Sequence, residues 1–306
     1  MNITLTGNLG SGKSSVCKEL QKFGHEIISA GDIFREIAIE RGLTVTELNE
    51  QAKQDRSIDD MLDHRTMELD EKKDNAVFDS RLAWNFTKNS FKVFLFVELD
   101  EAAHRVFEGT ARNAENYQSV EETRQGLNKR ANLEQERYQA LYQVDYYDPG
   151  NYDLIIESTN ATPKEIASEI ERNFLEYQKQ PFQTKIELNI REIYPTVPLN
   201  SLQPEKIEQE RNTKQSKDSF CCQKKITVAN KDGYHFAIGE HEALSAAISE
   251  NKVFAEAAKI VDSDSVQALP LSQLKEYEGY GGFSYRSRPS ETRRSGYNIQ
   301  LAKAFK

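Results

Sequence analysis

The sequence predicts an α/β fold: a five-stranded parallel sheet with flanking helices over residues 1–178, followed by a smaller α+β domain over 185–306. Three observations predict it. Short apolar runs of strand length alternate with polar stretches of helical period through the first 178 residues, the pattern of a parallel sheet covered on both faces. The charge is divided unevenly: the net −9 splits into −12 on residues 1–178 and +3 on 179–306, where 19 Lys/Arg meet 16 Asp/Glu. Between the two lies KQPFQT, residues 179–184, with the composition of a linker. At 306 residues the chain suits two domains better than one.

Each element follows in order. Residues 2–6 (NITLT) read as a buried strand running into a glycine-rich turn, and 13–23 as a helix with Val16, Leu20 and Phe23 at helical spacing. Glu26–Ser29 is a second strand. Gly31-Asp32 is expected to cap the helix Ile33–Arg41. Residues 44–73 are polar and helical in pattern. Further strands are expected at 76–79, 92–98 and 153–157, with a long charged helical stretch at 100–145. Thr162-Pro163 opens a last helix, threonine as cap and proline at the first position. Beyond the linker, 185–195 is strand-like and 202–219 strongly polar. Residues 226–238 read as a hairpin around Lys231-Asp232-Gly233, 240–251 as a helix and 253–261 as partly strand.

Composition narrows the function classes. No apolar run approaches the roughly 18 residues that span a bilayer, so no membrane association is expected. The start, MNITLTGNLGSG, lacks a basic segment followed by an apolar one, and a cytoplasmic location is expected. Cys17, Cys221 and Cys222 make a poor disulfide framework and offer no metal-ligand spacing. The acidic first part excludes general nucleic-acid binding there.

Gly7-Asn8-Leu9-Gly10-Ser11-Gly12-Lys13-Ser14 matches GxxxxGK[ST], with a strand before it and a helix after it. Glycines let backbone N–H groups wrap phosphates, and the helix N-terminus adds favourable partial charge. This P-loop is expected to bind ATP: Lys13 would reach the β- and γ-phosphates and Ser14 would bind Mg²⁺, with Gly7, Asn8, Gly10, Ser11, Gly12 and Ser15 completing the cradle. The other informative residues fall at strand carboxyl ends, where ligands of such sheets sit: Ser29 to Asp32, and Asp79-Ser80-Arg81. Arg105, Arg112, Arg124, Arg130 and Arg137 lie in the charged helical stretch. As a helical lid they would neutralise a transferring phosphoryl group and exclude water; as a solvated face they would pair with neighbouring glutamates such as Glu121. A second phosphate site and a lid favour an enzyme. A nucleotide sensor, or a kinase acting on UMP, a modified nucleotide or a small alcohol, stays open.

The segments GNLGSGKSS at 7–15, ISAGDIFREIAIERG at 28–42, VFDSRLAW at 77–84, RYQALYQVD at 137–145 and YDLIIEST at 152–159, with the lid arginines, resemble the archaeal-type cytidylate kinases, a branch of the nucleoside monophosphate kinases. The resemblance covers residues 1–178. It implies phosphoryl transfer from ATP to a nucleoside monophosphate, CMP or dCMP foremost. It places Ser29, Gly31, Asp32 and Arg35 along the acceptor site, Arg81 on the acceptor's phosphate and Asp79 on Mg²⁺-bound water. Asp55, Asp59 and Arg65 would meet base or ribose, and Arg105, Arg112, Arg130 and Arg137 would close over the phosphates. Ser15 stands where the family often has threonine.

Residues 185–306 are similar to the ParB/sulfiredoxin-like fold, in which a G-x-[HR]-R box at a helix start binds nucleotide phosphates. Here the box reads Gly239-Glu240-His241-Glu242, and Glu242 in place of arginine would repel phosphate. Arg286, Arg288, Arg293 and Arg294 among Tyr280, Phe283, Tyr285 and Tyr297 form a basic aromatic tail of a kind that contacts nucleic acid or a protein partner.

Overall fold

The computed structural model describes residues 1–52, 55–109, 117–212, 221–222, 224–263, 265–281 and 285. The five expected strands form as β1 (Asn2–Gly7), β2 (Glu26–Ser29), β3 (Ala76–Asp79), β4 (Ser90–Phe96) and β5 (Leu154–Glu157). They are parallel, in the order β2-β3-β1-β4-β5. β1 lies at the centre and is buried along its whole length, so it can be apolar or uncharged throughout.

Helices cover both faces. On one, α1 (Lys13–Leu20) and α8 (Pro163–Lys179) pack Val16, Leu20, Ile166, Ile170 and Phe174 onto Ile3, Leu5 and Val93. On the other, α6 (Leu99–Glu108) and α7 (Val120–Tyr142) bring Leu99, Ala102, Leu127 and Ala131 against Phe94, Phe96 and Ile155. A third cluster, around Ile28 and Phe78, is closed by α2 (Ala30–Glu40), α3 (Val45–Ala52), α4 (Ser57–Lys72) and the short α5 (Ala83–Phe86). Thr162 caps α8 in a capping box with Glu165, with Pro163 at the first position, as the sequence implies. α2 differs from expectation. It starts at Ala30 because the Ser29 hydroxyl accepts the Asp32 N–H at 3.0 Å, so Ser29 is the cap and not Gly31-Asp32.

The sheet continues beyond β5. β6 (Lys185–Asn189) lies parallel to β5, with Leu154 opposite Lys185 and Ile156 opposite Glu187. The remaining strands are β7 (Ile193–Tyr194), β8 (Ile226–Lys231), β9 (Tyr234–Ala237) and β10 (Phe254–Asp262). They extend the sheet in the order β6-β10-β8-β9-β7, giving ten strands. The β8–β9 hairpin turns on Asp232 and Gly233, with φ of 53° and 80°, the paired left-handed conformation that matches strand twist. α9 (Pro204–Arg211), α10 (His241–Ser249) and α11 (Leu271–Gly281) pack beside it. α11, which the sequence reading lacked, buries Leu274 and Tyr277.

The box at 239–242 does not present itself to an anion. The Glu240 carboxylate accepts the Thr227 N–H at 3.1 Å, which places a negative charge at the start of α10. Of the tail, Arg286, Arg288, Arg293, Arg294, Phe283 and Tyr297 lie outside the described residues. Tyr285 is buried and stacks on Tyr194 at 4.7 Å, so it belongs to the core and not to a surface for bases.

Where α8 meets β6, buried Glu169 and Glu187 share one guanidinium. Arg172 Nε donates to Glu169 at 2.6 Å and its Nη2 to Glu187 at 2.9 Å, and Asn173 Nδ2 adds a bond to Glu187 at 2.9 Å. Burial, then the Glu169 charge, pushes the Glu187 carboxyl well above its usual range. Cys221 lies against this pair; burial raises its thiol in the same way.

Candidate active site

The site begins where β1 ends. Gly10 (φ 77°) is so close to α6 that a Cβ there would stand 2.7 Å from Ala102 Cβ, and Gly12 (φ 87°) turns the chain into α1 through a left-handed cap. The loop is braced from below. Asn8 clamps the end of β4 with both ends of its amide, Nδ2 donating to Val97 O at 2.8 Å and Oδ1 accepting Val97 N–H at 3.0 Å. Tyr146 donates its hydroxyl to Gly7 O at 2.8 Å, and Ser158 Oγ donates to Ser11 O at 3.2 Å. The Ser11 hydroxyl is buried without a hydrogen-bond partner.

Two cations meet above the loop. Desolvation, then repulsion from Arg81, lowers the Lys13 ammonium to about 8, with Asp79 and Glu134 opposing. Arg81 follows β3. Trp84 Nε1 fixes its backbone by donating to Arg81 O at 3.0 Å, and Tyr138, Tyr146 and Tyr147 surround its guanidinium. Arg81 Nε pairs with Glu134 of α7 at 3.0 Å, while Nη1 is buried with no partner. The other Glu134 oxygen takes Arg130 Nε at 3.0 Å.

The residues expected on the acceptor side lie on β2, β3, α2 and α4. Ser29 and Asp79 are register partners at the ends of β2 and β3. Asp32 accepts from the Ser29 hydroxyl and from Arg35, which hold its carboxyl below the usual range, and Gly31 lies beside Ser29 and Arg35. Arg137 of α7 reaches Asp59 of α4 at 2.7 and 2.9 Å, and Tyr142 donates to Asp63 at 2.8 Å. Desolvation raises Asp63 to about 6. α7 and α4 are therefore joined by three side-chain hydrogen bonds.

Residues 2–160 match the family model described as "Cytidylate kinase-like family". The chain belongs to the cytidylate kinase-like family. It is 35% identical over 174 residues to a cytidylate kinase of Natronomonas pharaonis, covering 56% of this chain and 88% of that one. It is 36% identical over 180 residues to a cytidylate kinase of Methanocella arvoryzae, covering 58% and 99%. It is also 35% identical over 186 residues to an S-adenosylmethionine-dependent nucleotide dehydratase of Lacinutrix mariniflava, covering 60% of this chain and 37% of that protein.

As a cytidylate kinase-like protein it is a nucleoside monophosphate kinase, and the structure brings Arg81, Asp79 and Glu134 close to Lys13, with Arg130 bound to Glu134. Several of the expected residues have partners within the protein. Asn8 holds the loop to β4, so its side chain braces the cradle. Ser15 is exposed in the first turn of α1. Arg105 gives Nη2 to Ser158 O and Thr159 O at 2.8 and 2.9 Å and Nε to Glu101 at 2.8 Å, so it ties α6 to the end of β5. Its Nη1 still stands 4.0 Å from where a Gly12 Cβ would be, beside the loop. Arg137 is paired with Asp59 and Arg65 with Glu40, at 2.9 Å for the latter. Asp55 accepts the Ser57 N–H at 2.9 Å near the start of α4. Arg112 lies outside the described residues.

Sequence reasoning missed Glu134, Trp84 and the tyrosine shell. Glu134 left a signal, its i+4 spacing from Arg130; the tyrosines left none, since only the fold brings them to Arg81. For a divalent cation, Ser14 and Asp79 offer hydroxyl and carboxylate oxygen, the donors a hard cation prefers, and Asp79 is close enough to act on Lys13 and Cys17.

Proposed function

We propose that this protein transfers the γ-phosphoryl group of ATP to CMP or dCMP. The observation that carries this reading is the buried, unpartnered Nη1 of Arg81 beside Lys13. Two cations with an incomplete set of anions suit phosphates bound on both sides of the reaction. The loop holds the donor through its N–H groups and Lys13. Arg81 takes the acceptor's phosphate, and its planar fork fits two oxygens. Ser29, Gly31, Asp32 and Arg35 line the acceptor side, and Arg130 and Arg137 approach from the lid. Ser14 and Asp79 would hold Mg²⁺, which neutralises charge on the donor phosphates. No general base is needed: the acceptor phosphate is already nucleophilic, so positioning and charge supply the acceleration. The preference for cytosine rests on the likeness to the archaeal cytidylate kinases. A location in the cytoplasm fits this substrate class.

The test is ADP formation from MgATP with a panel of ribo- and deoxyribonucleoside monophosphates, with Lys13→Ala and Arg81→Ala as controls. Turnover with CMP or dCMP, lost in both variants, supports the proposal. Turnover with another acceptor alone would replace the substrate. ATP binding with no transfer to any acceptor would favour a nucleotide sensor instead.

A further inference from the structure

Among the described residues, Glu134 bridges two arginines of different elements. It sits on the lid helix α7, about one-fifth exposed, between Arg81 at the end of β3 and Arg130 one turn before it. Its Oε2 stands 3.0 Å from Arg81 Nε as an ion pair, and its Oε1 accepts the Nε–H of Arg130 at 3.0 Å. Nε is the inner edge of a guanidinium. A carboxylate bound there fixes the plane of the group and leaves its outer Nη groups for another anion. Arg81 displays that outcome, with Nη1 buried and unmet. Glu134 also lowers the repulsion between cations, since its charge favours the ammonium of Lys13.

We propose that Glu134 is a positioning residue for phosphoryl transfer. It locks Arg81 and Arg130 by their Nε edges into one bracket, outer Nη groups toward the phosphates, and so couples closure of the lid helix to assembly of the phosphate site. This rests on the reading of Arg81 as the acceptor-phosphate ligand. A negatively charged side chain near a transferring phosphoryl group is otherwise unfavourable, which is why its place behind the arginines matters.

The experiment uses the full chain with Glu134→Ala, Glu134→Gln, Arg130→Ala and the double variant Glu134→Ala/Arg130→Ala. Steady-state kinetics with MgATP and the best acceptor are measured beside thermal unfolding. Glu134→Gln keeps the shape but offers one accepting oxygen, so it can hold only one arginine and guards against a variant that fails to fold. The expected result is a kcat lower by about 10–100-fold in both single Glu134 variants, the scale of a misplaced catalytic group. KM for ATP stays within about twofold and Tm is near wild type. The double variant is little worse than the worse single one, because Glu134 acts through Arg130 and Arg81. An unchanged kcat, or additive losses with Arg130→Ala, overturns the proposal. So does a lower acceptor KM at unchanged or higher kcat, which would make Glu134 a stand-in for phosphate that substrate must displace. A wild-type chain that turns over no nucleoside monophosphate defeats the reading of Arg81, and the proposal with it.

Discussion

Two places in this molecule put arginine among buried partners, and they are finished to different degrees. At Arg81 the partners run out: Glu134 takes one edge, Lys13 adds a second positive charge, and Nη1 is buried unmet. At Arg172 the anions are in surplus: Glu169 and Glu187 share its one guanidinium, and burial with the Glu169 charge pushes the Glu187 carboxyl well above its usual range. A buried charge left short of partners is costly and persists where a ligand completes it; one that is over-supplied relaxes by titration and holds structure together. The sign of the charge imbalance, more than residue type, separates the site from the scaffold.

The sharpest way to break the comparison is at the unsaturated end. Lys13→Ala and Arg81→Ala should each lower kcat on the order of 10²–10³-fold or more, with Tm unchanged or slightly raised, because each removes a cation that repels its neighbour. Turnover and differential scanning fluorimetry on the same preparations check both halves. If either variant melts much lower, that cation is structural and the contrast fails.

Next comes the saturated end. Arg172→Met should cost about 3 kcal/mol, the low side of the ~3–5 kcal/mol for breaking a buried pair, since Arg172 is itself one-third exposed. Urea unfolding measures it, and the kcat of the folded fraction should be unchanged.

A smaller effect sharpens the assignment of the proton. Glu187 is raised in the folded protein above its ordinary 4.5, so its contribution is full below pH 4.5 and is lost as pH climbs toward the folded value. Glutamine does not titrate. The Tm of Glu187→Gln relative to wild type should therefore rise between pH 5 and pH 8; a flat difference would place the proton elsewhere.

The smallest effect is a proton count. With Lys13 at about 8, MgATP binding at pH 8.5 should draw in up to about one proton as phosphate restores the charge. Calorimetry in buffers of different ionisation enthalpy reads the uptake. Arg81→Ala removes a repulsive neighbour and should diminish it.

Much of this was legible in the amino-acid sequence, for reasons that differ by feature. The loop at 7–14 is a local spacing, and local spacings survive into structure. Ser29 and Asp79 could be placed together because parallel strands end on one side, although 50 residues part them. The carbonyl contacts of Asn8 and Arg105 were hidden because amide and guanidinium donors suit a carbonyl as well as a phosphate, and only the neighbouring strand ends decide. The partner of residues 185–189 was hidden for a similar reason: period-two alternation announces a strand but not which edge it joins. Tyr146, 139 residues from the Gly7 carbonyl it supports, gave no local sign at all.

That sixth strand bears on how the protein can be cut. Ending the chain at Lys179 removes the ladder from Leu154, Ile155 and Ile156, three residues buried on both sides, and leaves a straight apolar selvage with no lysine or proline to discourage a neighbour. It also takes away the Asn189 N–H that the Glu157 carboxylate accepts at 3.0 Å. A kinase fragment trimmed at the apparent linker is thereby primed to stack with its own copies, whereas one that retains residues 185–189 keeps its hem.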